Sequence, residues 1–429
     1  ALAVADRLRN LSVPPEAYQA WRSGLRLLPL PKPPVVDEVR IAELKYVNAE
    51  HMRGRIRQKD GESLDSKALA NDIVLAFSEG DFQNFDYSLV KERDRHILRL
   101  TPVEKAWGPD YLRFGVNFES DFRSESPYNI RALYRKTWLN AYGGEWLTGL
   151  QIGSDQVFFT EWYQPVGVRQ RFFVRPFIAT EAHKVGVFSN GDRVAEYLGR
   201  EDRAGVAVGA NLGVHGQASA GWIARRLSTT LETGSPRFPD VKGDVSGLTA
   251  NVALDTQDYA FFPTKGFKAN ATYFLADRVS GGFETYGRAE GRLSGAWSFG
   301  DLILLGGIAG GQATKGKLPI GDGFSLGGLG KLSAYAPNQI LGQEAYGLGN
   351  VQVQYHLTQP MPILGFSLLA GVAYEAGYMK NPVTEPTLTG RIDSWGVYLA
   401  ANSFLGPIYL GYSRSPQGTG RVYLFVGTP

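Results

Sequence analysis

The sequence contains no cysteine, which excludes disulfides and thiolate metal sites. Its five histidines, His51, His96, His183, His215 and His356, stand alone. None forms a pair at metal-ligand spacing such as i, i+4, so neither a metal site nor a cofactor is expected. Long apolar runs are also missing. The longest, "LILLGGIA" (Leu302–Ala309), is strand-sized and well short of the ~18 residues of a membrane-spanning helix. Neither sign of charge dominates: 45 Lys and Arg against 42 Asp and Glu give a net +3. That balance lacks the basic stripe of a nucleic-acid binder. The opening "ALAVADRL" has no basic stretch before an apolar core, so no signal peptide is expected.

Glycine and aromatic residues are plentiful. There are 52 glycines in 429 residues, against a usual ~7 %. Phe, Tyr and Trp make up 12 % of the chain. That combination points to a β architecture with many tight corners.

Three regions differ in style. In residues 1–34, "PEAYQAWRSGL" puts Tyr18, Trp21 and Leu25 on one helical face, and the Pro-rich "LPLPKPPVV" follows as a stiff spacer. With nothing of its own to pack against, this helix reads as the tail of an upstream passenger. Residues 35–105 read as one β-α-α-β-β domain. "VDEVRIAELKYV" is its first strand, with Val39, Ile41 and Leu44 apolar. A short helix is expected to end at Gly61, and a second carries Leu64, Ala68, Ile73 and Phe77 as its stripe and stops at Gly80. Two strands, "FDYSLVKERD" and "HILRLTPVEK", close the domain.

Residues 106–429 read as strands throughout. In "NVQVQYHL", Val351, Val353, Tyr355 and Leu357 alternate with Gln352, Gln354 and His356. In "ETYGRAEGRLS", Glu284, Tyr286, Arg288, Glu290, Arg292 and Ser294 share one face, the polar lining of a hydrated lumen. Many of these strands run ten or more residues, the length a tilted strand needs to cross a bilayer. Sixteen are expected, the first near 110–119 and the last near 420–427, an even number as a closed bacterial barrel requires. If the first rises from the periplasm, the long 313–348 segment is the sixth outward loop.

That loop holds "GFSLG" (Gly323–Gly327), a match to the G-x-S-x-G nucleophile pattern. A nucleophile elbow needs a strand before the serine and a helix after it. Ser325 instead lies among Gly321, Gly323, Gly327, Gly328 and Gly330, and no Asp-Gly follows for a dyad. The match is read as chance, without catalytic residues.

A β-α-α-β-β module ahead of a sixteen-stranded barrel resembles the POTRA-plus-barrel layout of the BamA/TpsB superfamily. "LDTQDYAFFPTKGFKANATY" is similar to that family's inward turn, with Pro263, Thr264 and Gly266 at the corner. "LGGLGKLSAY" is similar to the sixth-loop segment that ends in the family's Val-Arg-Gly-Phe/Tyr motif. The resemblance thus implies that Lys331, Leu332, Ser333, Ala334 and Tyr335 belong to a loop folded into the lumen, closing the pore at rest. "GVAYEAGY" resembles the strand that faces the motif, with Glu375 and Gly377. Ser333 stands where the family has arginine, Ala334 where it has glycine, and Glu375 where it usually has aspartate. The usual arginine–acid pair therefore cannot form. Lys331, Ser333 and Tyr335 are expected to bond to Glu375 or to the Glu/Arg face of the tenth strand.

The "LSAY" form, the single POTRA module and the upstream segment are similar to the patatin-like type Vd autotransporters, over about residues 10–429. That resemblance implies an outer-membrane translocator with its POTRA domain in the periplasm. It would not itself be an enzyme, but would secrete an in-cis patatin-like phospholipase that lies upstream of Ala1. It implies outer-membrane lipid, barrel-assembly machinery and periplasmic chaperones as partners, no nucleic acid, and leaves a homo-oligomer open. The other reading is a two-partner exporter or insertase acting on a separate client. Outer-membrane barrels typically finish on an aromatic residue, whereas Phe425 here lies four positions before Pro429.

Overall fold

Period-two alternation organises most of this chain, because successive strand side chains point to opposite faces of a sheet. The computed structural model describes residues 13–24, 33–122, 126–358, 368–417 and 420–427. The first described element is helix α1 (Pro15–Gly24). Its Tyr18 and Trp21 rings lie 5.6 Å apart and both side chains are exposed. Leu25 and most of the Pro-rich spacer lie outside the described residues.

A small α+β unit follows. Strands β1 (Val35–Val36) and β2 (Glu38–Ile41) lead into α2 (Ala49–Arg55), β3 (Glu62–Ser63), α3 (Ser66–Ser78), β4 (Phe82–Glu92) and β5 (Arg95–Glu104). The main sheet has the order β2-β5-β4, with β2 parallel to β5 and β4 antiparallel to it. Val36, Met52, Leu69, Ala76, Phe82, Leu98 and Leu100 form its core.

Two local expectations change here. Helix α2 ends at Arg55, not at Gly61, because Ile56 is already extended and the Gln58 amide donates to the carbonyls of Lys59, Glu62 and Ser63. The buried face of α3 is Leu69, Asp72 and Ala76, while Phe77 is exposed. Asp72 can be buried because its carboxylate accepts from both the backbone and the guanidinium of Arg57.

The remaining strands close a barrel. They are β6 (Asp110–Ser120), β7 (Tyr128–Lys136), β8 (Glu145–Gly153), β9 (Gln156–Val166), β10 (Phe172–Ser189), β11 (Asp192–Asn211), β12 (Gly216–Gly234) and β13 (Val241–Asp255). The second half comprises β14 (Gly266–Val279), β15 (Tyr286–Phe299), β16 (Leu302–Lys315), β19 (Ala345–His356), β20 (Leu368–Lys380), β21 (Arg391–Ser403), β22 (Gly406–Arg414) and β23 (Gly420–Val426). A two-stranded ribbon, β17 (Phe324–Leu326) with β18 (Ile340–Gly342), lies in the loop between β16 and β19. Every barrel strand is antiparallel to its neighbours, sixteen in all, as the alternation predicts. Outward positions such as Phe172, Ile178, Val206 and Leu248 are exposed and apolar, while Phe173, Tyr197 and Gln354 face in and are buried. The barrel closes between β23 and β6, where Leu424↔Ser120, Phe425↔Glu119 and Val426↔Phe118 pair among the described residues.

The α+β unit is bolted to the rim of β7–β10. Val168 offers a carbonyl, an acceptor, so His51 Nδ1 must donate across their 2.7 Å contact. The Asn48 amide donates to Ala141 O at 2.7 Å, and the Trp138 indole donates to Asp81 at 3.0 Å. The Trp138 ring packs edge-on against His51.

Burial pushes the Asp81 carboxyl above the ordinary Asp range, and the Trp138 hydrogen bond offsets only part of that. A carboxyl raised in the folded state destabilises the fold above its folded pKa, and the penalty fades as pH falls through that value. Hydrogen-exchange protection around Trp138 should therefore rise as pH is lowered from neutral towards 5. Asp81→Asn should flatten that response while keeping an acceptor for the indole. An unchanged response in the variant would show that Asp81 is not its source.

Candidate functional site

A sixteen-stranded barrel is wide enough to leave an aqueous channel unless something enters it. Here the loop 316–344 does. Its apolar residues Phe324, Leu326, Leu332, Tyr335 and Ile340 form one buried cluster with wall residues Val245, Ala276, Tyr286, Tyr346, Met379 and Ile392. The loop thus bridges the wall from β13 to β21.

The motif residues sit at the centre of this contact. Glu375, on β20, is 1 % exposed, and its carboxylate accepts from the Ser333 N–H at 2.5 Å and from Ser333 Oγ at 2.8 Å. The Ala334 N–H donates to Ser394 Oγ at 3.1 Å, and the Tyr335 hydroxyl meets Ser415 Oγ at 2.9 Å. A serine therefore contributes two donors where the resemblance would place a guanidinium. Gly377 lies under Leu332: a Cβ there would come within 2.9 Å of Leu332 Cδ1. Leu332 is fully buried with φ +77°, a left-handed conformation that costs an ordinary residue about 1–3 kcal/mol. Packing and the Ser333–Glu375 bonds hold it there.

Lys331 and Tyr335 do not reach Glu375: Lys331 takes the other expected surface, the Glu/Arg face of the tenth strand, while Tyr335 turns to Ser415. Lys331 is set beside Arg292 and Glu290 of β15, and its backbone bonds to Gly327 and Gly328. On the tenth barrel strand, Glu290 accepts from Tyr346 at 2.6 Å and Arg288 lies over the Phe324 ring at 4.9 Å. Glu284 lies in the loop ahead of that strand. Ser325 Oγ donates to Asn338 at 2.8 Å.

A charged grip on the loop was not foreseen. The Arg225 guanidinium, on β12, donates two bonds of 2.6 Å to Asp322 of the loop and bonds of 2.7 and 2.9 Å to Glu201 of β11. The Tyr286 hydroxyl also donates to Asp322. Such two-pronged arginine–carboxylate pairs are strong and directional. The lumen face of β11–β12, with Glu201, Arg203 and Arg225 in period two, was the available signal. Nothing in the sequence marks Asp322 as their partner. Nearer the loop-bearing rim, buried Glu385 accepts from Gly191 N–H at 2.8 Å and from Gln339 at 3.0 Å, joining two further loops to this one.

The turn 256–265 lies at the rim that carries the α+β unit. Asp258 accepts from the Thr264 N–H and hydroxyl and from the Lys265 N–H. Pro263 is buried, and Phe262 packs on Tyr409 beside Ile303, Leu369 and Tyr398. Gly266 ends the turn at φ +96°, and a Cβ there would lie 2.3 Å from Thr256 O. Space remains along β7–β13. A polar cavity of about 430 Å³ opens between Asp81, Arg135, Glu161, Arg175 and Gln217 at the α+β rim. A second, about 340 Å³, lies between the loop and His183, Tyr197, Leu227 and Thr229.

Removing one partner of a buried ion pair costs roughly 3–5 kcal/mol, and removing one neutral donor about 1–3 kcal/mol. Arg225→Met should therefore release the loop more than Ser333→Ala does. In planar bilayers, both variants should conduct more often than the parent, Arg225→Met the more. A closed Arg225→Met pore would show that the apolar cluster alone holds the loop.

Residues 170–428 match the Omp85 superfamily domain. Among solved structures, the fold is similar to BamA from Haemophilus ducreyi lacking POTRA domains 1–3, at TM-score 0.67 and 13 % identity, covering 91 % of this chain and 83 % of that one. It is also similar to CdiB from Acinetobacter baumannii (TM-score 0.60, 11 % identity, 91 % and 73 % covered). CdiB from Escherichia coli gives 0.58, 10 %, 92 % and 76 %. No curated protein matches the sequence. The match over 170–428 takes in most of the barrel, its lumen loop and the facing strand, and on it the chain belongs to the Omp85 superfamily of outer-membrane barrels.

Proposed function

We propose that this chain is the translocator of a type Vd autotransporter and exports what is joined to its N-terminal side, a patatin-like phospholipase. In this reading residues 35–105 are a periplasmic POTRA domain, and it is not itself an enzyme. The observation that carries the reading is a lumen that is occupied but not filled. The loop packs on the β12–β21 arc, while one cavity lies along β7–β12 at the α+β rim and the other between the loop and β10–β13. The docked α+β unit, with α1 before it, holds the N-terminal side of the chain at that mouth. No nucleotide motif is present, so folding of the passenger outside would draw it through. Barrel-assembly machinery and periplasmic chaperones would deliver and insert the barrel.

The seam between β23 and β6, with three pairs among the described residues, favours a second reading, an insertase or two-partner exporter with a separate client. An epitope-tagged globular passenger fused to Ala1 and expressed behind a secretion signal separates the two. Protease should shave the tag from intact cells in which gel mobility shows a folded barrel. A tag protected behind a folded barrel would overturn the in-cis reading.

A further inference from the structure

Outward charges on the barrel commonly meet a partner. Asp110 lies 3.3 Å from Lys136, Glu344 lies 2.9 Å from Lys380, and Asp393 lies 2.8 Å from Arg391. Lys184 is shared by Glu196 and Glu232. The outer face of β11–β14 departs from that pattern. Arg200, Lys242 and Arg278 are exposed and make no hydrogen bond or ion pair among the described residues.

The register fixes their level. Thr180, Asp202, Arg226 and Asp244 lie directly opposite one another across β10–β13, with Thr180 bonded to Asp202 and Arg226 to Asp244. One row farther from the α+β rim lie Arg200, Ser228 and Lys242. One row nearer lie Ile178, Ala204, Ala224, Ser246 and Arg278. The next row, Pro176, Val206, Trp222 and Leu248, is wholly apolar. Charge therefore begins within two rows, which marks the edge of the apolar band. At that edge the small Ala204, Ala224 and Ser246 leave a groove of about 710 Å³ between Ile178, Trp222, Arg226 and Arg278.

We propose that this face binds a phosphate-bearing lipid of the surrounding leaflet, with an acyl chain over Ala204 and Ala224 and its headgroup between Arg200, Lys242 and Arg278. The occupant follows from charge and level. Strands lie about 4.8 Å apart and same-face rows about 7 Å apart, so the Cα atoms of Arg200 and Lys242 lie roughly 10 Å apart and that of Arg278 roughly 15 Å from Lys242 and about 20 Å from Arg200, distances their long side chains narrow. That span suits a headgroup with more than one phosphate, and the two arginines can each bind one bidentately. Asp202 and Asp244 are already engaged by Thr180 and Arg226 and leave the outer cations uncompensated. Simple snorkelling of long side chains would need no groove.

The test uses the folded full chain in phosphatidylcholine nanodiscs containing either a bis-phosphorylated lipid A or phosphatidylglycerol. Bound lipid is counted by native mass spectrometry after detergent washing. The parent should retain the bis-phosphorylated lipid roughly a hundredfold better than the triple variant Arg200→Gln/Lys242→Gln/Arg278→Gln, at about 1 kcal/mol for each of the three cations. Groove-filling Ala204→Trp should lower retention with all charges kept. Equal retention by parent and triple variant would overturn the proposal. So would an equal loss in a control lacking Lys136, Lys380 and Arg391, since the attraction would then be diffuse. Preference for phosphatidylglycerol would overturn the multi-phosphate headgroup.

Discussion

The structure turns on the width of its own lumen. Sixteen strands enclose more space than wall side chains can fill, so the interior must hold water, chain or both. The loop 316–344 meets that demand with two chemically different holds. One is apolar and neutral, built from Leu332, Tyr335 and the Ser333–Glu375 bonds. The other is ionic, joining Asp322 to Arg225. Buried Glu375 is tolerable because two donors from Ser333 meet its two oxygens.

The barrel was legible in the sequence because its signal repeats. Val351, Val353 and Tyr355 against Gln352 and Gln354 are written in period two, and the same rule recurs from Asp110 to Val426. Elements without repetition were less legible. The end of α2 depends on Gln58 reaching carbonyls up to five residues on, which no helical stripe records. The buried face of α3 contains Asp72, so a search for apolar residues at helical spacing turned the helix the wrong way.

The site divides along the same line. Ser333 and Glu375 came together because a motif and its facing strand could be matched by resemblance. Asp322 and Arg225 are 97 residues apart and meet only once β12 is wrapped round the lumen and the loop is folded into it. Each alone is an ordinary charged residue. Tyr335 and Lys331 show a further limit. Lys331 and Tyr335, on either side of Leu332 with its left-handed turn, diverge, so one reaches the β15 wall and the other Ser415.

The positions of the two holds bear on how the loop could yield. The Ser333–Glu375 contact is sealed within the apolar cluster and lines neither cavity. Arg225 sits beside the cavity between the loop and β10–β13, and its partner Glu201 lines that cavity. Under the proposed function, a polypeptide moving along β10–β12 meets the ionic hold first, and an acidic side chain in it could compete with Asp322 for the same guanidinium. Charged pairs are also the kind that water weakens most, since hydration raises the local dielectric. The neutral, apolar hold gains nothing from such competition and would keep the loop tethered to β20 while its far end swings. A loop gripped in this way would move aside as a hinged flap without leaving the lumen.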